Sequence, residues 1–287
     1  MNKGAQYMII SSFAFSLMHL CVKAMPHISV FELVFFRSLG SLLITFFYLN
    51  KGNTPIFGNN KKVLFARGVF GTVGLCLFFI TLQSIPLAGA VTIQYLSPVF
   101  TTLFAVILLG ERVKKSQWLF FALAFIGVCL LKGFDISGQI SYYFILIGVA
   151  SACFSGLAYN CIRYLRTTES TLVVVFYFPL VATPIMGVLS LFNWVKPQGL
   201  DWFYILVLGV VTQVAQFFMT KGIQSDLAGN IMTYKYVGVI FAFIYGYFIF
   251  KETYSFLSVF GILLLLSGVI LNAVFKIQQE KKCTKDA

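Results

Sequence analysis

Along the chain, long apolar runs alternate with short polar breaks. Ten such runs lie at about 5–24, 30–49, 64–83, 89–109, 116–133, 142–162, 171–192, 201–221, 230–250 and 255–275. Each approaches or reaches the roughly 20 residues that a helix rising 1.5 Å per residue needs to cross a hydrocarbon core. The breaks carry turn residues or charge: Pro26-His27, Lys51 to Pro55, Pro86, Glu111 to Lys115, Asp135 to Gly138, Arg166 to Glu169, Lys196-Pro197, Asp226 and Lys251-Glu252. The runs are continuous, whereas a membrane β-barrel needs strands of alternating character. The pattern therefore predicts ten membrane-spanning helices. The first run follows Lys3 but is too long for a typical cleaved leader and has a repeat partner, so it reads as helix 1.

Composition agrees. Of 287 residues, 59% are apolar and only 10% charged, with a mean hydropathy of +0.90. A core of this size cannot hide that much apolar surface from water, which excludes a soluble enzyme, a disordered chain and a disulfide-stapled secreted domain. Cys21, Cys76, Cys129, Cys153 and Cys161 fall inside apolar runs and Cys283 in the tail, with no CxxC spacing. They read as small buried hydrophobes, and neither metal nor cofactor is expected.

The net charge of +12 suggests nucleic acid only until the charges are sorted by loop. With the N-terminus inside, 15 Lys and Arg fall at inner ends and loops, 4 (Lys23, Lys132, Lys196, Lys251) at outer ends, and Arg37 and Lys235 within spans. That bias places both termini in the cytoplasm. Short loops suggest a bacterial inner membrane.

The halves of the chain repeat. LAGAVTIQYLSPVFTTLFAVILLGER (87–112) matches LAGNIMTYKYVGVIFAFIYGYFIFKE (227–252), with Leu87-Ala88-Gly89 and Leu227-Ala228-Gly229 offset by 140. Glu111 and Glu252, and the glycines of Ile126 to Val128 and Ser267 to Val269, are offset by 141. Five helices per half is odd, so the second half enters the membrane inverted. The expected units are 1–138, 139–275 and a polar, unstructured tail 276–287. Inverted repeats recur in secondary transporters, where two like units exchange conformations and open one site to either side.

The segment Ala88 to Gly127, with mid-helix Ser97-Pro98 and the exit Leu109-Gly110-Glu111-Arg112, and the Phe35-Phe36-Arg37 of helix 2 resemble the drug/metabolite transporter superfamily, in particular its EamA-type ten-helix members. The second half departs from that pattern: Gly238 stands where the first half has Pro98. The resemblance implies two five-helix bundles around a central cavity, and movement of small polar metabolites, often outward. It leaves the substrate open.

Ionisable groups at bilayer depth are costly and mark pathways. Lys235, five residues into helix 9 and flanked by Tyr234 and Tyr236, is the main candidate; its repeat mate is Tyr95, with Gln94 matching Tyr234. It reads either as a cation binding a carboxylate or phosphate, with tyrosines supplying stacking, or as a lysine snorkelling to the inner face. Arg37 has no acid at i±3 or i±4 and needs a carbonyl, a distant acid or the substrate. Thr212, Gln216 and Thr220 share one face of helix 8, with Gln213 beside them; they contact substrate or bond helix to helix. Asn230, Thr233 and Tyr159-Asn160 are weaker candidates. His19 is the mid-span residue whose type ordinarily titrates near neutral pH, although a lone histidine is more often a bonded core residue. All nine acids avoid mid-span, so no buried carboxylate relay is expected. Pro98 and Gly238 are hinge candidates.

The leading reading is export of an amino-acid-like or anionic metabolite with an aromatic part. Uptake or exchange of a nucleoside-like cofactor, and xenobiotic efflux, stay open. An intramembrane enzyme lacks its paired acids or metal ligands; a channel, a retinal-type receptor or a sensor is the other class. Partners are the small-molecule substrate and the bilayer, and one chain suffices to enclose a cavity.

Overall fold

The computed structural model describes residues 3–52, 57–109, 115–130, 141–225 and 233–283. Its α-helices are α1 (Lys3–Ala24), α2 (Val30–Lys51), α3 (Lys61–Ser84), α4 (Leu87–Gln94), α5 (Ser97–Leu109), α6 (Lys115–Leu130), α7 (Tyr142–Tyr164), α8 (Thr171–Ser190), α9 (Asp201–Ser225), α10 (Val237–Phe248) and α11 (Phe256–Cys283). Seven apolar helices, α4 and α5 counted together, are long enough to cross a membrane, and α6, α10 and α11 supply shorter apolar stretches. The protein is thus an all-helical membrane protein of ten spans.

Five contacts between the halves follow one rule. α1 packs on α9 and α3 on α7; α2 packs on α8, α4 on α10 and α6 on α11. In repeat terms, helices 1 and 3 of one half exchange partners with 3 and 1 of the other. Helices 2, 4 and 5 each meet their own mate. That set is symmetric under exchange of the two halves, as a pseudo-two-fold relation between them requires. The α6–α11 crossing shows its sequence basis. A Cβ on Gly127 would stand 2.5 Å from the Leu265 backbone N, and one on its mate Gly268 2.6 Å from the Phe120 backbone O. Small residues at both places let the backbones touch.

The first of the two fourth spans is broken, and the second departs from α-helix at the matching place. After Gln94 the chain tightens into Tyr95 N–H···O Thr92 and Leu96 N–H···O Ile93 bonds, and helix resumes at Ser97. Pro98 has no N–H to give the Gln94 carbonyl, and its ring crowds that carbonyl. At the hinge candidate Pro98 the helix is therefore broken, and Pro98 sits in the first turn of α5, where its missing donor costs nothing. In the second half Thr233–Tyr236 is 3-10 helix and α-helix begins at Val237. No proline enforces this second departure.

The surface is apolar and the interior partly polar. Phe47, Leu119, Phe192 and Phe256 are more than half exposed, while Ser11, Thr45, Arg37 and Thr212 are buried. Lipid-facing side chains need no polar partner, and polar groups turn inward. At the C-terminus α11 runs to Cys283, so helix replaces the unstructured start expected for the tail. The expected boundary at 138 lies outside the described residues.

Candidate functional site

The fourth spans meet on the two-fold axis. Tyr95 and Lys235, exact mates at an offset of 140, touch: the Tyr95 hydroxyl donates to the Lys235 carbonyl at 2.8 Å. Ser12 donates to the same carbonyl at 3.4 Å. A Cβ on Gly238 would collide with the Tyr95 hydroxyl, so glycine there admits Tyr95 to the axis. Above this contact lies a cavity whose walls include His19, Arg37, Arg67, Gln94, Tyr95, Tyr159, Phe178, Gln216 and Lys235. The cavity volume is about 80 Å³, room for several waters.

Three cations share this cavity. The Lys235 ammonium donates to the Tyr159 hydroxyl at 2.8 Å and lies 4.8 Å from the centre of that ring and 5.7 Å from that of Tyr95. It is 8% exposed, so it points to the cavity and does not snorkel. Arg37 and Arg67 face Phe178 at 5.0 and 4.9 Å. Arg67 donates to Gln216 Oε1 at 3.3 Å, while its Nε has no partner. All three Arg37 nitrogens are buried without a partner. No acid lines the cavity among the described residues. A buried, uncompensated ion costs several kcal/mol after relaxation, and a cation–π contact returns about 0.5–2 kcal/mol. The rings therefore do not replace an anion.

Arg37 and Phe178 occupy one register: Val34-Phe35-Phe36-Arg37 aligns with Val175-Phe176-Tyr177-Phe178 at an offset of 141. The first repeat supplies the guanidinium and the second the ring it faces.

Of the residues expected from sequence, Lys235, Tyr95, Gln94, Arg37, Gln216, His19 and the weaker candidate Tyr159 line the cavity. Gln94 also braces α7, accepting from Ser151 at 2.9 Å and donating to Ser155 at 2.8 Å. His19 lies edge-on to Phe78, and its Nδ1 has no partner. The others lie elsewhere. Gln213 accepts from Ser41 of α2, tying helix to helix. Thr212 is buried beside this face but off the cavity wall. Tyr236 packs edge-on to Tyr95 at 5.3 Å and lines an apolar groove between α10 and α11. Asn230 and the Tyr234 side chain lie outside the described residues. Pro98 flanks the break in the first half and Gly238 the matching place in the second.

Sequence reasoning missed Arg67 and Phe178. Arg67 counts among the inner-face charges there because the third run was started at 64. The helix starts at Lys61, which carries Arg67 to 2% exposure. Gly71 marks the place: a Cβ there would stand 2.5 Å from an Arg67 terminal nitrogen and 2.7 Å from Phe178.

One end of the bundle is tied differently. Lys23, at the end of α1, pairs with Glu252 at 3.4 Å and donates to the Ile85 carbonyl at 2.6 Å. Glu252 accepts the Leu87 N–H at 2.9 Å, capping α4, and the Tyr254 hydroxyl at 3.1 Å. Burial and the Glu252 carboxylate push the Tyr254 phenol up, which keeps it a donor. Gln83 adds bonds to the Met25 and Ile28 carbonyls at 3.1 Å.

Inverted five-helix halves whose fourth spans meet at Tyr95 and Lys235, beside a polar cavity, define a secondary transporter. The chain belongs to the EamA-like transporter family, whose profile matches residues 2–132 and 143–274. It is 30% identical to the pseudopaline exporter CntI of Pseudomonas aeruginosa over 280 residues, 96% of this chain and 98% of that one. Human solute carrier family 35 member G1 is 29% identical, covering 97% of this chain and 81% of its own. The S-adenosylmethionine uptake transporter of Rickettsia prowazekii is 25% identical, over 88% and 84%. A solved crystal structure superposes with a TM-score of 0.70 at 17% identity, covering 96% of this chain and 98% of its own, and shows the fold.

Proposed function

We propose that this transporter carries a small organic anion, amino-acid-like or otherwise carboxylate-bearing with a planar part, by alternating access and in the export direction. The observation that carries the reading is the set Arg37, Arg67 and Lys235, buried on one cavity with no acid lining it among the described residues. An anion supplies what the site lacks, and Tyr95, Tyr159 and Phe178 offer ring faces for a planar group. The exporter of 30% identity supports the direction. The uptake relative favours a second reading, import of a nucleoside-like cofactor, but a cationic cargo would meet three like charges here.

Tyr95 and Lys235 mark the flexing points, with Pro98 and Gly238 setting their geometry. The protein sits in a bacterial inner membrane with both termini in the cytoplasm, and one chain holds the whole cavity. With Arg67 moved inside, fourteen basic residues still mark the inner face. Thermal-shift screening of purified protein against carboxylate metabolites, followed by counterflow in liposomes, tests the reading. Lys235→Gln is expected to lower counterflow of the best hit at least about tenfold, a loss of roughly 1.4 kcal/mol. Equal flux in the variant would remove Lys235 from the site, and hits restricted to cations or neutral molecules would overturn the reading.

A further inference from the structure

Two kinds of cation face the cavity. The Lys235 ammonium is engaged by Tyr159 and lies among Tyr95 and Tyr159 rings. The Arg37 and Arg67 guanidinia share the Phe178 ring and have no partner group in common with Lys235. A guanidinium carries five N–H donors in a fixed fork. Arg37 spends none of them on the protein, though it is wholly buried. Arg67 gives one to Gln216, and its Nε is unused. Gly71 holds the space that lets Arg67 lie against Phe178. Two such forks on one ring, with donors unspent, form a seat for oxyanions taken bidentately. Both guanidinia face one ring on one cavity, where like charges repel, and an anion within reach of both is what makes the arrangement favourable.

From this we infer that the cargo carries at least two anionic groups, one held by Lys235 and a second, carboxylate or phosphate, seated by the Arg37–Arg67 pair, which sets specificity for dianions. This rests on the proposed anion transport and narrows it. Arg67 then selects cargo and is more than an anchor for Gln216.

Isothermal titration of the purified full-length protein in nanodiscs tests the inference with three probes: succinate, butyrate (the same length with one carboxylate) and 3-phosphonopropanoate. Wild type is expected to bind succinate roughly tenfold or more tighter than butyrate. Arg37→Gln and Arg67→Gln should each cut that ratio below about threefold, and Lys235→Gln should weaken both probes and leave the ratio in place. Arg67→Lys keeps the charge but loses the fork, so an intermediate ratio is expected; it also serves where Arg67→Gln does not fold. Preference for 3-phosphonopropanoate over succinate assigns the seat to phosphate, and the reverse to carboxylate. Equal binding of succinate and butyrate by wild type, or an unchanged ratio in the arginine variants, overturns the inference and leaves monoanion transport standing. Failure of all three probes to bind wild type overturns both.

Discussion

The two charged regions of this protein are built on opposite plans. Where Lys23, Ile85, Leu87 and Glu252 meet, each charge has protein partners: an ion pair, a carbonyl and a helix N-terminal N–H. In the cavity Arg37 has none, Arg67 has one, and Lys235 has a phenol. Both regions are largely buried, so burial does not explain the difference. Charges that hold helices together are neutralised within the chain. On the proposed function, the cavity charges are left for the cargo to neutralise, and the empty protein carries the cost of that arrangement.

The largest expected effects come from reversing the plans. Arg37→Met should abolish transport, lowering counterflow by about two orders of magnitude, because a bidentate charged contact is worth roughly 1.5–3 kcal/mol or more in a desolvated site. Glu252→Gln should instead act on stability. It leaves the half-buried Lys23 without its countercharge and exchanges the charged cap of α4 for a neutral one, a loss of about 1–3 kcal/mol. Urea or thermal unfolding in detergent reads that loss. A Glu252 variant of unchanged stability would dissolve the contrast between the regions.

A smaller effect is expected on the axis. Gly238→Ala puts a methyl group into the Tyr95 hydroxyl, an overpacking cost of about 1–3 kcal/mol. Tyr95→Phe in the same chain frees that space, so the double variant should recover part of the loss, read by a double-mutant cycle of melting temperatures. Simple additivity would show that the two do not meet. Pro98→Ala should change least. Proline occupies the first turn of α5, where alanine fits as well, so membrane insertion is expected to be unchanged and transport lowered only several-fold. Unchanged transport at equal protein level would take Pro98 out of the moving parts.

How much of this was legible beforehand depended on the kind of signal. The ten runs and the offset of 140–141 are written as long stretches, and lipid leaves helices no alternative. Lys235 and Arg37 stood out because a charge within an apolar run is rare. Arg67 has the same chemistry but lies near a run's edge, one turn beyond basic Lys61 and Lys62, and so read as an inner-face charge. Phe178 was invisible for the opposite reason, being one aromatic among 33 Phe. Only the Arg37–Phe178 register could have singled it out. Gln213 and Gln216 differ by three positions on one helix, yet one braces α2 and the other lines the cavity. That division depends on which neighbour each face meets, which helical periodicity alone does not state.

The central claim is that the cavity's cations lack a countercharge until cargo arrives. Its most direct test is the melting temperature of ligand-free Arg37→Met against wild type in the same detergent. Replacing an uncompensated buried charge with an apolar side chain should raise stability, by about 1 kcal/mol or more, so the variant should melt higher while transporting nothing. A variant that melts lower, by as much as Glu252→Gln, would show that Arg37 is neutralised within the protein and would contradict the account.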